Sequence, residues 1–80
     1  MVRLRNIRKI NSEIVADIFP EGSNNPGELK VDKSGKVSSY TLPEDYSYCI
    51  SHVFHAATFI EKNREKILQG EVTEGTVMWH

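Results

Sequence analysis

The sequence predicts an α+β fold: an antiparallel sheet of four to five strands with one long helix packed on one face, in the order β-β-β-β-α-β. Three observations carry this. Residues 2–42 hold two pairs of strand-like runs, each pair joined by a short polar turn. Residues 41–69 hold a continuous helical stripe, and the last nine residues return to β-branched and aromatic side chains. Eighty residues make a single domain, 1–80, because a second core would not fit.

The first pair is "VRLRNIRKI" and "EIVADIF". Val2 and Leu4 alternate with Arg3 and Arg5, the period of a half-buried strand. The alternation slips at Asn6–Ile7, which a β-bulge near Asn6 explains. The second run is stopped by Pro20, and "NSE" serves as the turn, so residues 2–10 are expected to pair with 13–19. "PEGSNNPG", residues 20–27, is a loop without the glycine spacing of a phosphate cradle.

The second pair is "GELKVDKSGKVSSYTL". Leu29 and Val31 alternate with Glu28, Lys30 and Asp32; "DKSG" turns; Val37, Tyr40 and Leu42 return. Gly35 supplies the positive φ that a short hairpin loop needs.

The helix is expected to start at "TLPEDY", where Thr41 and Glu44 have capping-box spacing and Pro43 fits the first turn. It should run to Leu68–Gln69 and stop at Gly70. Successive residues turn by about 100°, so with Tyr46 at zero a core arc gathers Cys49, Ile50, Val53, Ala56, Ala57, Ile60, Ile67 and Leu68. The closing "VTEGTVMWH" reads as a last strand that buries Val77 and Trp79 or their neighbours.

Function is far less legible. A second helical stripe, Tyr48, His52, His55 and Phe59, is spaced four, three and four apart on the side away from the core arc. Four rings on an outer face need cover or use, and a contiguous apolar set marks an interface. The first expectation is therefore a non-enzymatic protein-interaction module with a partner-binding face of Tyr48, His52, His55 and Phe59, framed by Lys62 and Lys66. The simplest partner is a second copy, making a homodimer. The competing explanations for the stripe are scattered exposure and contact with the terminal strand.

A second reading uses the basic N-terminal segment. Arg3, Arg5, Arg8 and Lys9 give the first ten residues +4 against −5 for the rest, a footprint that phosphates could use in nucleic-acid binding. The same charges also suit the solvated face of a strand. A third reading makes His52 and His55 a metal site or the general base of a small hydrolase. Cys49, His52 and His55 step by three, so their side chains fan apart, and a metal would need a further ligand from His80 or an acid. No nucleophile elbow, phosphate loop or paired-carboxylate site occurs in the sequence. Neither a catalytic residue nor a cofactor is assigned.

One cysteine cannot form an internal disulfide, and no apolar run approaches membrane-spanning length. No leader is evident either, and the expected location is the cytoplasm. The strings "GELKVD", "ISHV" and "TVMW" resemble small uncharacterised bacterial proteins of about this length. That resemblance implies the same α+β order and no activity.

Overall fold

The computed structural model describes residues 1–79. Four strands come first: β1 (Val2–Ile10), β2 (Glu13–Pro20), β3 (Gly27–Val31) and β4 (Val37–Thr41). Two consecutive helices follow, α1 (Ile50–Lys62) and α2 (Arg64–Leu68), and then β5 (Gly75–Val77). The strands form one antiparallel sheet in the order β4-β3-β2-β1-β5. The helices lie on one face, as the period-2 and helical patterns lead one to expect.

The β1–β2 hairpin carries the bulge expected near Asn6. Arg5 pairs with Asp17 but Arg8 with Val15, so β1 has one extra residue there. Asn6 takes it up at φ +53°, a left-handed conformation that asparagine tolerates. The bulge also frees the Ile7 N–H, which donates to Thr73 O at 2.9 Å. It thereby fixes the returning chain just before β5. Beyond the bulge Ile7 still points into the core, whereas Arg8, opposite Val15, lies on the outer face.

In the β3–β4 hairpin, Asp32 Oδ1 accepts from the backbone N–H groups of Ser34 and Lys36 and from the Ser34 hydroxyl. Those bonds, the Ser34 hydroxyl first, hold the Asp32 carboxyl below its ordinary pKa. Gly35 sits at φ +90°, the conformation the turn demands.

The helix start differs from the expectation. Thr41 is the last residue of β4, opposite Glu28, and its Oγ1 accepts the Glu28 N–H at 3.0 Å. That hydroxyl is therefore not available to cap a helix. Pro43 stays extended, Glu44–Tyr46 make a single 3-10 turn, and α1 begins only at Ile50 with no side-chain cap. The helix also breaks once. Asn63, at φ −112° and ψ 14°, donates its side-chain amide to Phe59 O at 2.9 Å, competing with the helical ladder. Gly70, at φ +77°, ends α2 as expected.

The core lies between sheet and helices. Val2, Leu4, Ile7, Ile14, Ala16, Ile18, Leu29 and Val31 meet Val53, Ala56, Ala57, Ile60 and Ile67. Each Val, Leu or Ile among them contributes about 1.5–3 kcal/mol when fully buried, against the entropy of ordering the chain. Cys49 is buried, as expected, but Ile50 and Leu68 are about half exposed, so the core arc omits two of its expected members; Tyr46, its reference point, is half-buried. The opposite sheet face is mostly polar, with Val15 buried beneath its neighbours. There Arg8 lies 3.6 Å from Asp17 and 3.8 Å from Glu28, and Lys30 lies 3.9 Å from Glu28. Among the described residues no helix is long and apolar enough to cross a membrane.

Candidate functional site: the two flanks of the long helix

The Tyr48–Phe59 stripe is split rather than presented as one face. Tyr48 falls ahead of α1 and is 72% exposed, stacked on Tyr46 with ring centroids 6.3 Å apart. The other three rings lie under β5 and the chain that leaves it. Trp79 stacks on His55 at 3.9 Å and an interplanar angle of 15°, and meets His52 edge-on at 4.7 Å. Phe59 packs beneath Gly75, where a Cβ would come within 2.3 Å of the ring. Of the four rings expected on a free face, His52, His55 and Phe59 are covered by residues 75–79, and Tyr48 stands clear. Ring-on-ring burial against a terminal tryptophan satisfies the need for cover that the stripe posed.

His52 is 8% exposed, and its Nε2 lies 2.5 Å from Glu21 Oε1. Glu21 is itself at φ +51° and also accepts from the Met1 amine at 3.1 Å. The His52 hydrogen bond first, and the Met1 amine second, hold the Glu21 carboxyl below its ordinary pKa. His52 Nδ1 is buried and has no hydrogen-bond partner among the described residues. A general base must present a ring nitrogen to substrate. Here one nitrogen is engaged by Glu21 and the other is enclosed, so the histidine has the setting of a structural clasp.

No group of three His, Cys, Asp or Glu side chains among the described residues is placed to hold a metal ion. His80, the further ligand considered from sequence, lies outside the described residues.

Of the basic residues of β1, Arg3, Arg5 and Arg8 share the outer face and Lys9 does not. Arg3 donates to Ser23 O at 3.2 Å and sits over the Phe19 ring at 5.2 Å. Arg8 donates to Asn6 O at 2.8 Å and faces Asp17 and Glu28. Lys9 pairs with Ile14, a core residue, and so projects to the helix side, away from Arg8. Arg5 alone of the four is an exposed outer-face cation without an ion-pair partner among the described residues.

The opposite flank of α1 was missed. Ile50 and Phe54, one turn apart, are 49% and 55% exposed. Beside them an open groove of about 490 Å³ runs between α1 and the start of β4, with Val37, Phe54 and Ala57 as its apolar lining and Lys36, Glu61 and Lys62 at its rim. A signal for it existed in the Ile50–Phe54 spacing. It was overlooked because the buried arc, read from His52, Val53, Ala56, Ala57 and Ile60, is rotated about 30° from the expected one toward the His52 side. Trp79 draws the arc that way, and its reach across the helix is not a local property of the helical sequence.

Comparison of the chain with protein-family models, curated proteins and solved structures finds no match. The class established by the geometry is a one-layer antiparallel sheet with a helical layer on a single face.

Proposed function

We propose that this chain is a non-enzymatic interaction module whose contact surface is the Ile50–Phe54 flank of α1, and whose partner is a second copy. One observation carries the reading. Two large apolar side chains a turn apart stand half exposed beside an apolar-floored groove, while the neighbouring flank of the same helix is covered. Completing the burial of Ile50 and Phe54 would contribute about 1 kcal/mol from each. Tyr48, the one ring of the original stripe left outside, lies two residues ahead of Ile50 and remains a candidate contact.

A second copy is supported by the rim, which carries both signs, Lys36 and Lys62 against Glu61. A self-complementary patch of this kind suits an isologous contact, in which each copy offers the other the same surface.

The test is native mass spectrometry and sedimentation of the untagged chain beside Ile50→Ser and Phe54→Ser. The wild type should form a dimer that each substitution weakens by about tenfold, equivalent to 1.4 kcal/mol. Both variants should keep the wild-type far-ultraviolet circular dichroism. A wild type that stays monomeric at every concentration, or a double variant that dimerises as tightly, would contradict the proposal.

A further inference from the structure

The groove opens onto an unpaired strand. In the order β4-β3-β2-β1-β5, β4 is bonded on one side only, by β3. Edge strands are usually protected by lysine, proline, a β-bulge or a covering segment, and β4 carries one of these, the register shift opposite Lys30 and Val31. The five residues of β4, Val37–Thr41, include neither lysine nor proline. Val37 and Tyr40 lie opposite Val31 and Leu29, so both project to the helix side, where Phe54 stands. Ser39, opposite Lys30, lies on the outer face, and Ser38 occupies the register shift between them.

Charge is distributed unevenly along this edge. Lys33 and Lys36 precede β4, and Glu44 and Asp45 follow it. All four are exposed, and none makes an ion pair among the described residues. The strand is therefore positive at its start and negative at its end. A parallel neighbour of the same sequence would place like charges together, whereas an antiparallel one would place opposite charges together.

We infer that β4 pairs antiparallel with β4 of a second copy, across a twofold axis near Ser38–Ser39. This rests on the reading that the chain self-associates, and it names the surface and symmetry that do so. With Val37 opposite Tyr40, Lys33 of each copy comes nearest Glu44 of the other, and Lys36 falls opposite Thr41, close to the same acidic end. Val37 of each lies beside Tyr40 of the other on the helix side. The two five-stranded sheets join edge to edge into one, with both α1 helices on the same face. Phe54 and Ile50 of the two copies then close the channel between the helices. Edge pairing and apolar contact are parts of one interface.

The test uses two double variants, Lys33→Glu with Lys36→Glu, and Glu44→Lys with Asp45→Lys, in sedimentation and native mass spectrometry at low salt. In each alone the flanks carry one sign, and the homodimer should weaken by about tenfold or more. Mixed together they should form a heterodimer, because one copy is then negative at both flanks and the other positive. Ser39→Cys should in addition give a disulfide-linked dimer on mild oxidation that the wild type, with Cys49 buried, does not give. A wild-type dimer whose affinity survives both charge variants, with no Ser39→Cys link, would overturn this pairing while leaving self-association intact. A monomeric wild type would overturn both.

Discussion

The two flanks of α1 differ in how they are finished. On the His52 side the chain supplies its own partner: Trp79 stacks on His55, meets His52, and β5 lays Gly75 over Phe59. On the Phe54 side nothing in the described chain does so, and Ile50 and Phe54 stand half exposed next to an unpaired strand. A helical stripe of rings is therefore not by itself an exposed surface in this molecule. The histidine- and aromatic-rich flank is the one turned inward by the C-terminal segment, and the flank with the plainer sequence is left open. Cover, rather than side-chain type, separates the two.

The largest expected effect is on the covered flank. Trp79→Ala should destabilise the fold by about 3 kcal/mol, because it empties the site over His52 and His55. Thermal unfolding checks this, and a Trp79→Ala melting curve superimposable on the wild type would mean that the cover is not tight in solution. Gly75→Val comes next. Its Cβ would meet the Phe59 ring at 2.3 Å, so the ring or β5 must shift, at a cost of about 1–3 kcal/mol. Denaturant unfolding measures it, and loss of only a few tenths would show that β5 lies further from Phe59. On the open flank, Phe54→Ser should change monomer stability by less than about 0.5 kcal/mol while reducing association. A large destabilisation there would show that Phe54 serves the core.

The smallest effect concerns Glu21. Its carboxyl is held below its ordinary value of 4.5 by His52 first, so the stabilisation is present above that value and is lost as pH falls through the lowered one. Glu21→Gln should therefore flatten the acid limb of the stability profile and leave association near neutrality unchanged. An acid limb identical to that of the wild type would remove Glu21 from the clasp.

Much of this fold was legible because its signals are local. Alternation in Val2–Arg5 and Glu28–Asp32 defined the strands, and Asn6 and Gly35 marked the bulge and the turn. The beginning of the helix was not legible, because Thr41 offers the same hydroxyl to two uses and the ladder partner Glu28 takes it. The break at Asn63 had a signal in the asparagine itself, which was passed over in favour of the longer apolar period. The candidate site was less legible still. Whether His52 or Phe54 faces outward depends on where residues 75–79 cross α1, and that crossing is set by β5 pairing with Val2, Arg3 and Leu4, some seventy residues earlier. The apolar stripe fixes a helix's inner side to within one quadrant, and long-range pairing decides the rest.

The contrast between the flanks is most directly tested by backbone amide chemical shifts recorded as the protein concentration is raised. Movement confined to Val37–Thr41, Ile50 and Phe54, with His52, His55 and Phe59 unmoved, is the result expected if the open flank and its strand edge carry the association. Movement centred on His52, His55 and Phe59 instead would contradict it, and would place the interface beneath the segment that ends in Trp79.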